Sequence, residues 1–168
     1  MGPISVETEI DAPRERVFDF VSDFSLRPAW MGSLAGDLRL ERIEPRGLGA
    51  GARFKPGAPG LEYTDSTIVE SDRPEKIVES GLGGSLNRVS VNTVWELIPD
   101  PGGVTRVRVT FWTVQPSFFG RLREFGRSGW WRRHWRDALK GLKTAVESGS
   151  ETIERVGVAG EDRVPGAA

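Results

Sequence analysis

Ile4-Ser5-Val6-Glu7-Thr8-Glu9-Ile10-Asp11-Ala12-Pro13-Arg14-Glu15-Arg16-Val17-Phe18 is the stretch on which the reading of the fold turns. From Ile4 to Ile10, apolar and polar side chains alternate with the period of a strand that buries one face. At Asp11-Ala12-Pro13 the period changes. Proline suits the first turn of a helix, Asp11 stands near the amides of its start, and Val17, Phe18, Phe20, Val21 and Phe24 recur at helical spacing. The opening therefore predicts a strand followed by a short helix over about residues 13–23. Ser25-Leu26-Arg27-Pro28-Ala29-Trp30-Met31 predicts a second short helical turn before Gly32 and Gly36.

Outward from this opening, no stretch between Asp37 and Gln115 holds a helical period, and glycine or proline cuts it into lengths that suit strands. About six strands are expected, the clearest being Glu62–Ser71, Lys76–Leu82, Arg88–Ile98 and Val104–Gln115. Pro99-Asp100-Pro101-Gly102-Gly103 is turn chemistry, so the last two strands should form an antiparallel hairpin. Gly47-Leu48-Gly49-Ala50-Gly51-Ala52 matches a loose dinucleotide pattern, but Arg53-Phe54-Lys55-Pro56-Gly57 cannot open the helix that such a site needs, and it reads as a turn. After Pro116, Phe118, Leu122, Phe125, Trp131, Trp135, Leu139, Leu142 and Val146 fall three and four residues apart, which predicts one long helix through Glu147. Gly126 and Gly129 mark where it would bend or admit another backbone. Residues 150–168 hold no sustained period and are expected to form a mobile tail behind a single domain over 1–149.

Composition bounds the chemistry. A chain of 168 residues fits one domain, and no apolar run approaches the roughly 20 residues that span a bilayer. There is no cysteine and one histidine, His134, which excludes disulfide frameworks, cysteine nucleophiles, thiolate zinc sites and paired imidazoles. No metal and no organic cofactor is expected. The net charge of −1 argues against nucleic acid as a partner. That charge is uneven: −4 over residues 1–117, +5 over 118–149 and −2 over 150–168. The N-terminus shows no basic segment followed by an apolar one, so a cytoplasmic location is expected.

The order strand, two short helices, antiparallel meander and long last helix resembles the START-like, or SRPBCC, superfamily, which includes birch-pollen-allergen-like proteins and polyketide cyclases/dehydrases. The resemblance spans about residues 4–147. Its carriers are the opening from Val6 to Phe18, the segment from Phe24 to Trp30, Trp95-Glu96-Leu97-Ile98-Pro99, and Gly103-Val104-Thr105-Arg106-Val107. It implies an α+β helix-grip fold: a curved antiparallel sheet of about seven strands around a long C-terminal helix, with two short helices after the first strand. It also implies a cavity between sheet and helix that takes a hydrophobic small molecule such as a lipid, sterol, polyketide or other aromatic. Some relatives catalyse cyclisation, dehydration or hydrolysis there while many only bind, and no universal catalytic motif carries over.

The residues that could line such a cavity are Trp30, Phe54, Tyr63, Trp95, Phe111, Trp131 and Trp135, because aromatic ligands need large flat apolar walls. Any one of the six tryptophans, taken alone, reads better as a core residue, and only as a set do they point to a cavity. Tyr63, Asn92 and His134 are the catalytic candidates. Tyr63 and Asn92 sit on predicted central strands where alternation can turn a polar group inward, and His134 lies beside Trp135 on the last helix. Asp65, Thr67, Arg53 and Arg88 read more simply as solvated strand positions, and the carboxylate pairs Glu7 with Glu9 and Asp19 with Asp23 as solvated faces of a strand and a helix. Two other functions compete with ligand binding. One is a polyketide cyclase/dehydrase-type enzyme, which needs at least two of the three polar candidates to converge. The other is a membrane or protein-interaction module working through the basic, tryptophan-rich last helix, against which stands a packed helix with a charged outer face. The oligomeric state is left open.

Overall fold

A computed structural model describes residues 1–58, 61–116 and 127–149. The strand β1 (Ile4–Ile10) leads into α1 (Arg14–Ser22), a 3-10 turn at Phe24–Leu26, α2 (Arg27–Met31) and a second 3-10 turn at Gly32–Ala35. Six strands follow: β2 (Gly36–Leu40), β3 (Gly51–Lys55), β4 (Thr64–Asp72), β5 (Lys76–Gly83), β6 (Val89–Pro99) and β7 (Thr105–Val114). The last element is α3 (Ser128–Glu147). The part of the expected long helix before residue 127, and the expected tail at 150–168, lie outside the described residues.

The seven strands form one antiparallel sheet in the order β1-β7-β6-β5-β4-β3-β2. It is the fold expected from the sequence, with β6 and β7 joined as a hairpin across Pro99–Thr105. Alternation decides the faces. Val89, Val91, Thr93, Trp95 and Leu97 of β6 are buried, as are Thr105, Val107, Val109, Phe111 and Thr113 of β7, while their neighbours face out. On the outer face, Arg108 bridges Glu7 of β1 at 2.6 Å and Glu96 of β6 at 3.7 Å, and Arg106 reaches Asp100 at 2.8 Å. Glu7 is thus part of a solvated cross-strand ladder, as its strand position suggested.

Against the inner face lies α3, whose Trp131, Trp135, Ala138, Leu139, Leu142 and Val146 are buried at helical spacing. Between α3 and α2 the backbones touch at Gly141, where a Cβ would stand 2.3 Å from the Trp30 carbonyl oxygen. A second glycine, Gly81, allows β5 to press on the backbone of β4, since a Cβ there would overlap the Asp65 carbonyl. The free edge of β1 is closed by α3: Lys143 Nζ donates to the Glu9 carbonyl at 2.7 Å, and Glu147 accepts from the Asp11 amide at 2.8 Å. Asp11 therefore meets the last helix through its backbone, and α1 starts at Arg14, behind Pro13 as its N-cap residue and with no side-chain cap. Asp23, expected to be solvated, is instead buried. Its carboxylate caps the following 3-10 turn by accepting from the amide and hydroxyl of Ser25.

Candidate functional site: a closed pocket and an open groove

The sheet and α3 grip a cluster of aromatic rings. Trp95 sits edge-on to both Trp30 and Trp135, with centroids 5.9 and 5.5 Å away, and Phe111 packs on Trp131 at 4.4 Å and on Trp135 at 5.5 Å. Five of the seven residues expected to line a cavity are therefore brought into one contiguous cluster. Beside it lies a small pocket of about 20 Å³, room for one water-sized group. Its apolar walls are Phe54, Leu61, Val91, Phe111, Trp131 and Trp135, with Met31 and Leu34 from the α2 region. Its polar wall is Arg27, Thr64, Ser66, Glu79 and Thr93.

Of the expected lining residues, Phe54, Phe111, Trp131 and Trp135 face this pocket. Trp95 is fully buried behind it, and Trp30 turns towards a separate groove. Tyr63 lies elsewhere. It immediately precedes β4, whose inward positions are Thr64, Ser66 and Ile68, so parity sends Tyr63 outward, where it is 42% exposed. There its ring lies 5.1 Å from the Lys55 ammonium. The hydrogen bond to Asp37, with Tyr63 close by, pushes the Lys55 pKa above the usual lysine value. Asn92 also faces outward, with Ser80 donating to its carbonyl and its own amide donating to Ser90, each at 3.1 Å. Arg53 and Asp65 pair across β3 and β4 on that same face at 2.6 Å.

His134 stands on the groove side. Its ring stacks on Trp130 at 3.7 Å and its Nδ1 donates to the Trp130 carbonyl at 2.8 Å. The groove, about 740 Å³ and open to solvent, runs between the α2 region and the first turns of α3, with Ser33, Arg133, His134 and Asp137 among its walls. Met31 borders both the groove and the closed pocket. Among the described residues, Tyr63 and Asn92 thus lie on the outer face of the sheet, and His134 lies apart from both in the groove.

The polar group that does face the pocket was missed by the sequence reading. Arg27, 1% exposed, sends both terminal nitrogens to Glu79, one of them at 2.9 Å, and also donates to the Val21 carbonyl at 2.9 Å. The guanidinium lies 4.2 Å from the centre of the Phe24 ring. Trp95 Nε1 at 2.6 Å and Ser66 Oγ at 3.1 Å add two more donors to the Glu79 carboxylate. With four donors its acceptor sites are filled, so Glu79 holds the wall together and has no free lone pair for a ligand proton. A signal existed in β5: Ile77 and Glu79 share parity, which puts a carboxylate on the core face and demands a buried cation. Among the described residues, no cluster of three or more His, Asp or Glu side chains could hold a metal ion, and no helix is long and apolar enough to cross a membrane.

Comparison with solved structures places this architecture in familiar company. The TTHA0849 protein of Thermus thermophilus superimposes with a TM-score of 0.67 at 21% identity, covering 89% of this chain and 99% of its own. Norcoclaurine synthase of Thalictrum flavum, solved in complex with dopamine and hydroxybenzaldehyde, gives 0.63 at 16% identity, covering 88% and 87%. At such identities the likeness is one of fold. No curated protein matches the sequence. The family described as polyketide cyclase / dehydrase and lipid transport matches residues 1–147, and the chain belongs to that family within the START-like/SRPBCC superfamily.

Proposed function

We propose that this protein binds an apolar small molecule, a lipid, polyketide or aromatic, between its sheet and α3. The observation that carries this reading is the small pocket at that interface, walled by aromatic and aliphatic side chains and fringed by a few buried polar groups. Family membership and a structural relative solved with two aromatic compounds support the same class of ligand. Ligand pockets generally measure about 300–1,000 Å³, so uptake requires the walls to yield. Met31, an unbranched thioether between pocket and groove, is the side chain best suited to move. Binding then gains roughly 25 cal/mol for each Å² of apolar surface removed from water.

Two observations favour binding over the competing readings. Proton transfer by Tyr63, Asn92 and His134 would need at least two of them at one ligand atom, and they stand apart. A membrane-facing last helix would need its aromatic face free, whereas Trp131 and Trp135 point into the core. The test is native mass spectrometry of the gently purified protein, with solvent extraction of whatever accompanies it, followed by titration with the neutral probe N-phenyl-1-naphthylamine. A co-purified apolar compound, or one-to-one probe binding, is expected. A protein that carries nothing and leaves the probe fluorescence unchanged would overturn the reading.

A further inference from the structure

We propose that the open groove between the α2 region and α3 is a second binding site, which takes an aromatic compound bearing one acidic group. It goes beyond the binding function proposed above, for it lies outside the small pocket and holds a ligand of different charge.

The sequence of α3 builds one wall of the groove as two neighbouring lines. Gly129, Arg133 and Asp137 fall four residues apart, and so do Trp130, His134 and Ala138. Residues 30–33 make the opposite wall. At about 740 Å³ the space lies within the range of small-molecule sites. Trp130 and His134 stack at 3.7 Å with their planes 24° apart, and the bond from Nδ1 to the Trp130 carbonyl holds the imidazole in that pose. Trp130 also meets Trp131 edge-on at 5.0 Å, which ties this aromatic platform to the core. A flat ring is the natural partner of such a surface.

Gly129 has no need of its own to be glycine. Its φ is not left-handed, and among the described residues no heavy atom lies within 4 Å of where its Cβ would stand. Gly141, in the same helix, is glycine because the Trp30 backbone presses on it. Glycine weakens a helix, so one that gains nothing in packing or in turn geometry points to a use for the space itself. That space widens the groove one turn before Arg133.

Charge fixes the polarity of the occupant. Arg133 is exposed and, among the described residues, has no carboxylate partner, whereas Asp137 pairs with Lys140 at 3.5 Å. An acidic group on a ligand gains a charge-assisted contact at Arg133 and meets repulsion one turn further on at Asp137. It therefore settles towards the Gly129 end, with the ring against Trp130. A cationic ligand would face the guanidinium instead. Arg136, equally exposed and equally without a carboxylate partner among the described residues, is not among the groove's walls and serves as the control.

The probe is 8-anilino-1-naphthalenesulfonate, which is N-phenyl-1-naphthylamine with one sulfonate added, so the two differ in charge and not in ring system. Calorimetric titration should show one-to-one binding of the sulfonate that saturating N-phenyl-1-naphthylamine does not displace. The indole N–H signal of Trp130 in 15N-labelled protein, identified with Trp130→Phe, should move as the sulfonate is added. Arg133→Gln should weaken the sulfonate by about fivefold or more. Arg136→Gln, which removes the same charge from the same helix, should weaken it by less than about twofold. Gly129→Gln fills the gap with a good helix former, and should weaken binding about fivefold at an unchanged or higher melting temperature. Equal losses in Arg133→Gln and Arg136→Gln would reduce the effect to the general charge of the helix and overturn the groove site. Displacement by N-phenyl-1-naphthylamine, or a sulfonate that does not bind at all, would overturn it too. Each of these results leaves the binding function standing, because that function is read by the neutral probe alone.

Discussion

Arg27 and Glu79, 52 residues apart in sequence, lock α2 to β5 through a two-pronged ion pair whose side chains are 1% and 3% exposed. Such a pair is an asymmetric risk: removing one partner strands a buried charge, whereas replacing both with apolar groups removes the charge altogether. Arg27→Met alone should lower the free energy of unfolding by about 3–5 kcal/mol. The double variant Arg27→Met with Glu79→Leu should recover part of that loss. Urea unfolding of the four proteins in a double-mutant cycle checks this, and a loss under about 1 kcal/mol in the single variant would show that the pair is not a keystone.

The contact between α2 and α3 makes a sharper demand. At Gly141 an added methyl would meet the Trp30 carbonyl oxygen at 2.3 Å, backbone that cannot swing aside. Gly141→Ala should therefore destabilise by about 1–3 kcal/mol, although alanine favours a helix. Gly129 lies in the same helix with open space around it. Gly129→Ala should be neutral or stabilising by up to about 1 kcal/mol. Thermal melts of the two variants, read side by side, separate close packing from helix propensity.

Position relative to the pocket predicts which side chains matter for binding. Tyr63→Phe and Asn92→Ala alter groups on the outer face and should leave the affinity for N-phenyl-1-naphthylamine within about twofold of the parent. Phe111→Ala removes a wall of the pocket and should change that affinity by about tenfold or more in either direction, according to whether the new space favours the probe or the ring was its main contact. Fluorescence titration distinguishes these, and a large effect at Tyr63 or Asn92 with none at Phe111 would move the site to the outer face.

The junction of β1 with α3 carries a pH signature. The Asp11 amide, with Lys143 beside it, holds the Glu147 carboxyl below the usual glutamate value. A carboxyl whose pKa is lower in the folded protein adds stability above its unfolded value, and that contribution is lost as pH falls through the folded one. Glu147→Gln should thus melt at a lower temperature than the parent at pH 7, and the gap should close below about pH 4. Calorimetric scans from pH 7 to pH 3 provide the check, and a gap that stays constant would mean that the carboxylate charge contributes nothing.

Where local pattern sets structure, the sequence was legible. The alternation of Ile4–Ile10, the turn residues at Pro99–Gly103 and the spacing of Trp131, Trp135, Leu139, Leu142 and Val146 each predict an element that is present. The inward placement of Phe54, Phe111, Trp131 and Trp135 was legible because large rings on the buried positions of strand and helix have few other places to go. Arg27 was not, since between Leu26 and Pro28 it looks like any surface arginine, and its partner is supplied by a strand far along the chain. The outward position of Tyr63 was hidden for a different reason. One residue of register decides the face of a strand, and Tyr63 stands one residue before the inward Thr64.

The edge strand β1 has a consequence for the order in which the molecule is made. Strands β2 to β7 pair with sequence neighbours and can zip up hairpin by hairpin as they leave the ribosome. β1, translated first, pairs only with β7, with Ser5 opposite Thr110, and its other edge waits for Lys143 and Glu147. During vectorial synthesis the first strand therefore remains unclaimed until roughly the last third of the domain has emerged. Until β7 is made, both edges of β1 stay without a partner strand, which is the condition under which a strand invites wrong pairing.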